Sequence, residues 1–135
     1  MAFEEALAKR LLDDAEIATL VGSRVEWEER EQSGGLPAIL LELVSDPRPV
    51  NLDGFVGLRE TRVTITCFAS GAKAARNLRE RVIAVLAPPA ALLDVQFSRS
   101  FFDLVRAGVQ RGGVAPVHKG MIDALIWHSP REATN

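Results

Sequence analysis

The segment RETRVTITCF, from Arg59 to Phe68, constrains the fold more than any other part of the sequence. Val63, Ile65 and Cys67 alternate with neighbours that are mostly polar, as expected when successive side chains point to opposite faces of a strand. The segment is also rich in β-branched residues, which are favoured in strands. The pattern predicts a β-strand over this whole segment, with one face against a core.

The residues that follow this strand predict an amphipathic helix. Apolar side chains recur at helical spacing at Ala72, Ala75, Leu78, Val82 and Leu86. Ser70 is the predicted N-cap, and the pair Pro88 and Pro89 ends the helix. Such a helix should cover one face of the sheet that contains the preceding strand.

The first twenty residues predict two more helices. Phe3, Leu7 and Leu11 form the apolar side of a helix over residues 2–12. Its polar side is predicted to contain Glu4, Glu5, Lys9, Arg10 and Asp13. Asp13 or Asp14 then caps a short second helix, which runs to Leu20 and closes at Gly22.

Further strands are predicted at 25–27, at 38–44, from 93 through 105 with a bulge or break, and at 119–128. We expect Trp127 in the core. Phe101 and Phe102 are neighbours on a strand and face opposite ways, so we expect one of them to be covered by something other than this core. The order of elements has no βαβ alternation. It predicts an α+β fold, a mainly antiparallel sheet with the N-terminal helix and the middle helix packed on one face, in a single domain of 135 residues.

Two loops are predicted to carry the functional surfaces. The proline-containing loop 46–57 presents apolar side chains, and we expect neighbouring subunits to bury it. The predicted subunit-interface residues are Arg48, Leu52, Phe55, Val56 and Arg59. A second, glycine-rich loop is predicted over 106–119, with Arg106, Arg111, His118 and Lys119 around it.

The sequence offers little for catalysis. Cys67 fits a buried position in a strand, and His118 and His128 are interpreted as surface or interface residues. Neither SGGL nor RGGV has the lysine or helix start of a phosphate-binding loop. We therefore expect no catalytic residue, no cofactor and no metal.

The sequence also does not indicate membrane insertion, export or nucleic-acid binding. No apolar run is long enough to cross a membrane, and no Sec export signal precedes the first helix. A net charge of −2 does not indicate nucleic-acid binding.

Charge is distributed unevenly along the chain. Residues 1–60 carry 13 acidic and 6 basic side chains, whereas residues 61–135 carry 5 acidic and 10 basic ones. The net charges are therefore −7 and +5. Either these charges are mixed on the folded surface, or an acidic face of one copy meets a basic face of another.

Several segments, taken in order, resemble a known family. They are ATLVGSRV, LPAILLELVS, an LDG loop, RETRVTITCFA and the closing IDALIWHS. The combination resembles the tail-completion proteins of long-tailed bacteriophages and gene transfer agents, also called tail-to-head joining or tail-terminator proteins. The likeness runs from about Glu4 to Ser129. The segments 26–35 and 106–119 lack the family's signature, so the resemblance implies that partner specificity lies there. The predicted partner-docking residues are Arg106, Arg111, His118 and Lys119.

The resemblance implies a non-enzymatic virion protein that is assembled in the host cytoplasm. It would form a ring, a hexamer, at the head-proximal end of the tail tube and stop tube polymerisation. Its partners would be the tail tube protein and a head-closure or stopper protein, with DNA only passing through the channel. A head-side adaptor or stopper ring is the alternative within this class. A small α+β ligand-binding domain or enzyme is the alternative outside it, and would need Cys67 close to His118 or His128.

Overall fold

The computed structural model describes residues 2–30, 35–46, 50–51, 54–55, 58–111, 113 and 115–130. The helices in these ranges are α1 (Ala2–Leu12), α2 (Ala15–Val21) and α3 (Ala72–Leu86). The strands are β1 (Val25–Trp27), β2 (Ala38–Ser45), β3 (Val50–Asn51), β4 (Gly54–Phe55), β5 (Arg59–Ala69), β6 (Ala90–Leu92), β7 (Val95–Phe97), β8 (Phe101–Gln110) and β9 (Val117–Pro130).

Seven of these strands form one sheet in the order β1-β2-β5-β9-β7-β6, and β8 also pairs with β9. β1 and β2 are parallel, and all the other pairs are antiparallel. One edge of β9 pairs with β5. The other edge pairs with β8 along residues 117–125 and with β7 along residues 128–130. The predicted α+β fold with a mainly antiparallel sheet is confirmed.

The helices pack on one face of this sheet and enclose the core. Inward-facing side chains of β5 and β9 alternate with outward ones, so that Ile65 and Ile122 are register partners in the same core cluster as Leu78 of α3. Phe3, Leu7 and Leu11 of α1 are buried in the same core, as their spacing predicts. The other face of the sheet, which we call the open face, carries the half-buried Met121, Asp123, Leu125 and Trp127.

Gly120 allows α3 to approach β9 closely. A Cβ atom at this position would lie 2.7 Å from the carbonyl oxygen of Ala75 and 2.9 Å from Cβ of Arg79. Both distances are shorter than side chains tolerate. The absence of a side chain at Gly120 therefore sets the distance between the helix and the sheet.

Arg10 contradicts the predicted polar side of α1. It is buried, and its Nη2 donates to the carbonyl oxygens of Val85 (2.9 Å) and Pro88, at and just after the end of α3. The guanidinium also lies 5.1 Å from the ring centroid of Phe97. Burial lowers the pKa of Arg10. A basic group there is favourable, because the last carbonyls of a helix have no partner within it.

The predicted helix caps are partly right. Asp14 caps α2, with Oδ2 accepting from the backbone N–H of Ile17 (3.1 Å), and its carboxylate also binds Arg81 of α3. The hydrogen bond from Arg81 holds the pKa of Asp14 below its usual value. The prediction that Ser70 caps α3 is wrong, because the cap position is Gly71, which has no side chain to accept a bond.

Two other predictions are corrected, and a third is confirmed. Trp127 is half-buried on the open face instead of in the core, because the inward positions of β9 belong to Ile126 and His128. The break expected in the strand from 93 through 105 is present, since β7 ends at Phe97 and β8 begins at Phe101, and Leu93 lies in the turn before β7 at a positive φ of 53°. The predicted loop 106–119 is mostly strand, since β8 extends to Gln110 and β9 begins at Val117.

Candidate assembly surface

β8 is a ten-residue strand whose side chains are largely exposed on both faces. Phe101 is 55% exposed, and Leu104, Val105 and Val109 are exposed to a similar degree. Phe102 alone packs against the core, so the expectation that one of the two phenylalanines lacks cover is confirmed. β9 occupies one edge of β8, and no strand in the described part of the chain pairs with the other edge. Such an edge is a template for pairing with another chain.

Ion pairs and hydrogen bonds fix the polar side chains next to β8 on the open face. Arg62 binds Asp103 (2.7 Å), and the hydroxyl of Thr64 donates to Asp123 (2.9 Å). Arg106 reaches the same Asp123 carboxylate at 3.7 Å. The acidic groups near β8 therefore already have basic or hydroxyl partners within the chain, and the net character of this side is basic.

The predicted docking residues gather around the β8–β9 hairpin. His118 and Lys119 lie on β9 and line a groove of about 270 Å³, whose opposite wall is formed by Arg76 and Arg79 of α3. Nη1 of Arg79 donates to the carbonyl oxygen of Arg106 (3.0 Å). Arg111 is exposed just after β8. We call Arg106 and Arg111, together with the exposed side chains of β8, the basic edge.

The opposite side of the sheet is acidic. β1 pairs only with residues 39–41 of β2, so the last part of β2 has no strand partner on that side among the described residues. Leu43 and Val44 are exposed there. The strands and the turn at this side contain four glutamates, Glu26, Glu28, Glu29 and Glu42, and the carboxylate of Glu28 accepts from the backbone N–H of Leu43 (3.2 Å). We call this set, with Leu43 and Val44, the acidic edge.

A hydrogen-bonded group joins β2, β5 and β9 at the far end of the sheet. The hydroxyl of Thr61 donates to Oδ1 of Asp46 (3.1 Å) and lies 2.7 Å from Nε2 of His128. Arg59 forms an ion pair with the same carboxylate. Because the hydroxyl hydrogen points to Asp46, Nε2 of His128 carries a hydrogen and donates to Thr61.

His128 is a core residue, so its interpretation as a surface or interface residue is wrong. Its ring stacks on Phe3, with centroids 4.1 Å apart and planes at 24°. Burial lowers the pKa of His128 to about 4, and the charge of Arg59 acts in the same direction. The imidazole is therefore neutral at pH 7 and holds β9 to β5 and α1.

Cys67 lies far from this group. His128 pairs with Arg59, eight residues along β5 from Cys67, a separation of about 26 Å at strand geometry. Cys67 is buried, as predicted, and burial raises the pKa of its thiol to about 12. In the ranges given above, no cluster of three or more histidine, cysteine or acidic side chains is arranged to hold a metal.

A larger open groove, of about 950 Å³, lies between α2 and α3. Leu20, Pro37 and Ala84 are among its lining residues. The guanidinium of Arg81, which also lines it, binds the carboxylates of Asp14 (2.6 Å) and Glu16 (3.2 Å). Its charge is therefore balanced within the chain.

None of the described helices has the length and apolar character needed to cross a membrane.

The predicted subunit-interface residues have mixed outcomes. Arg59 is on β5 beside His128, at the opposite end of β9 from Lys119, or about 30 Å along the strand. Arg48, Leu52 and Val56 lie outside the described residues. Phe55 belongs to β4, which pairs with β3, and its side chain is also outside the description. The segment predicted as a loop thus contains a short antiparallel pair.

The sequence predictions did not identify the exposed apolar side chains of β8 as a surface. The segment FFDLVRAGVQ has no alternation of polar and apolar residues, which is the usual signal of a half-buried strand. The signal that could have found this surface is a high density of apolar residues without the alternation of a half-buried strand. A strand that is exposed on both faces shows neither this alternation nor the continuous apolar run of a fully buried strand.

Comparison with known proteins identifies relatives of the chain. The family described as tail completion protein gp17 matches residues 5–129. A chain of the virion of a native gene transfer agent particle has the same fold, with a TM-score of 0.62 and 16% identity over 93% of each chain. A second solved protein is similar over 98% of this chain and 96% of its own, with a TM-score of 0.57 and 12% identity. No curated protein matches closely enough to count as a relative.

Proposed function

Because this chain belongs to the tail completion protein gp17 family, and so is a structural protein of a phage-type virion tail, we propose that its copies form a closed ring. The ring lies at the head-proximal end of the tail tube and ends tube polymerisation. It presents a docking surface to the head-closure protein and leaves an axial channel through which DNA passes. The family resemblance implies six copies.

The observation that best supports this proposal is the exposure of β8. An exposed, apolar strand edge is a liability in a monomer, because it pairs readily with other chains. A contact between two different patches, repeated around an axis, buries such an edge in every copy and leaves none free when the ring closes. The exposed side chains of Phe101, Leu104 and Val109 fit such a contact.

The proposed roles of individual residues divide between the two ends of the sheet. Near the first strands, Arg48, Leu52, Phe55, Val56 and Arg59 remain proposed subunit contacts. Arg59 is the one among them whose side chain is described, and its ion pair with Asp46 places it next to the 46–57 segment.

At the β8–β9 hairpin, Arg106, Arg111, His118 and Lys119 are proposed to dock a partner. The groove between α3 and this hairpin supports their grouping, because it brings His118 and Lys119 together with Arg76 and Arg79. A partner that presents acidic side chains would complement this groove.

Mass measurement of the purified chain, together with negative-stain imaging, tests the ring directly. We expect particles of several copies with a central opening. Addition of the protein to purified tail tubes should place it at one end of each tube, and binding to DNA-filled heads is the matched comparison. A chain that remains monomeric at high concentration, even with tail tubes present, would contradict the proposal. Binding to heads but not to tails would indicate a head-side adaptor instead.

A further inference from the structure

We propose that the basic edge of one copy packs against the acidic edge of the next copy, so that the subunit contact joins opposite edges of the same sheet. This inference rests on the proposed ring and identifies the surfaces that meet in it. It makes the next copy the partner that Arg106 and Arg111 contact, and leaves His118 and Lys119 to a separate partner. The two edges are the first and the last strands across the sheet, because β8 lies beyond β9 while β1 and β2 lie beyond β5. A head-to-tail contact of this kind requires two different patches, and the fold places one at each side.

Charge complementarity is the first argument. The acidic edge has Glu26, Glu28, Glu29 and Glu42, whereas the basic edge has Arg106 and Arg111. Asp103 is the acidic residue of β8, and it is paired with Arg62 within the chain. Arg106 lies 3.7 Å from Asp123 of β9, so its charge is partly offset, whereas Arg111 is exposed beyond the end of β8. On the open face, Glu26 is level with Leu40 of β2, and Arg106 is level with Met121 of β9. Continuation of one sheet into the next would bring these opposite charges onto the same face.

Apolar exposure is the second argument. Nine large apolar side chains are exposed among the described residues, and six of them lie on these two edges. They are Phe101, Leu104, Val105 and Val109 on the basic edge, and Leu43 and Val44 on the acidic edge. Each edge therefore combines exposed apolar side chains with charges that are mostly of one sign, which resembles the pattern of an apolar centre with a polar rim.

The charges also argue against a symmetric contact between two basic edges. Arg106 is near the middle of β8, which runs from Phe101 to Gln110. An antiparallel pairing of two β8 strands about a two-fold axis would place the two Arg106 side chains close together. Like charges that face each other across an interface oppose binding. The same reasoning excludes a pairing of two acidic edges.

Charge reversal on each edge tests the contact. The first variant, Glu26→Lys with Glu29→Lys, makes both edges of a copy basic. The second variant, Arg106→Glu with Arg111→Glu, makes both edges acidic. We expect each variant alone to self-associate about tenfold or more weakly than the natural chain. A 1:1 mixture should restore association, because the two variants alternate around a ring with an even number of copies.

The control variant is Lys9→Glu with Lys73→Glu, which changes the net charge as much as the second variant does. Both lysines are exposed on the helical layer, away from the two edges. This control should associate like the natural chain, as measured by sedimentation at several concentrations. Circular dichroism melting checks that each variant folds. If Arg106→Glu disturbs the fold, the single substitutions Arg111→Glu and Glu29→Lys provide the same comparison, since both residues are exposed and lie outside the strands.

The outcomes separate this contact from the ring itself. If the natural chain forms rings and both charge-reversed variants do so with unchanged affinity, the edge contact is wrong and the ring remains. Weakened variants that the mixture does not restore would also overturn the head-to-tail pairing. A natural chain that never associates would overturn the ring, and this contact with it.

Discussion

The hydroxyl oxygen of Thr61 lies 2.7 Å from Nε2 of His128, within the core that α1 and the sheet enclose. This bond connects β5 to β9 at the end of the sheet where Asp46 and Arg59 form their ion pair. A neutral imidazole can donate to Thr61 without bringing a second positive charge next to Arg59. The stability of this region is therefore sensitive to the protonation of one histidine.

Acidification should destabilise the chain through His128. Its pKa in the folded state, about 4, is below the ordinary value of 6.5. Between these two pH values the unfolded chain binds a proton that the folded chain does not. Stability is therefore fully present above pH 6.5 and falls as the pH drops, by up to about 1.4 kcal/mol per pH unit from this group. Urea unfolding at several pH values, below the concentration at which copies associate, measures the slope.

Two histidine variants identify the source of that slope. His128→Gln should lower stability at pH 7 but remove most of the dependence between pH 6.5 and 4.5. His118→Gln, at the other end of β9, should keep the dependence of the natural chain. An unchanged slope in the His128→Gln variant would show that other groups cause it.

Gly120→Ala should destabilise the fold by about 1–3 kcal/mol. The added methyl group would meet the backbone of Ala75 at 2.7 Å, and a helix backbone cannot move away as a flexible side chain can. Gly108→Ala is the matched control, because the nearest atom to its added methyl group is Sδ of Met121 at 4.0 Å. Chemical denaturation of both variants measures the difference. Equal stability of the two would contradict the close packing of α3 on β9.

Arg10→Ala should cost about 2–4 kcal/mol of stability. The substitution removes the hydrogen bonds to the carbonyl oxygens of Val85 and Pro88 and the packing of the side chain on Phe97. Its neighbour Lys9 forms an exposed ion pair with Asp13, and such pairs contribute little. Lys9→Ala should therefore change stability by less than about 0.5 kcal/mol. The same denaturation experiment compares the two, and similar losses would rule out a buried role for Arg10.

The thiol of Cys67 should be unreactive in the folded chain. Burial raises its pKa to about 12, so the thiolate that reacts with alkylating or disulfide reagents is almost absent at pH 8. A colorimetric thiol reagent should titrate no cysteine in native buffer and one in denaturant. Rapid labelling of the native chain would show that β5 opens readily.

Salt should slow assembly more than it weakens the assembled form. Most of the charges of the acidic and basic edges are exposed, and charges of this kind mainly steer encounters between molecules. Light scattering after dilution from a dissociating buffer should show slower association as the salt concentration rises from low to physiological and above. Rates that do not depend on salt would argue against charged edges as the surfaces that meet.

The sequence predicts most of the framework, because the strongest elements have clear periodicity. The alternation in β5 and β9 and the apolar stripes of α1 and α3 indicate both the elements and their buried faces. The individual exceptions come from contacts between distant segments. Arg10 is buried because the end of α3, about 75 positions later, supplies carbonyl groups, and helical spacing contains no information on that neighbour.

The functional surface is less predictable for the same reason. The burial of His128 depends on the register between β5 and β9, which brings Thr61 and Arg59 to it. The exposure of β8 depends on the absence of a strand beyond it in the described part of the sheet. Neither can be deduced from the local pattern.

The shared position of β9 has a consequence for the timing of folding during synthesis. β5, β7 and β8 all take β9 as a partner, yet β9 comes after them along the chain. Until residue 130 has left the ribosome, these earlier strands have no common neighbour to align on, and the long-range pairings that they need form slowly. The exposed edge that β8 presents is therefore one of the last parts of the sheet to be completed, because β8 takes its place only when β9 is available to pair with it.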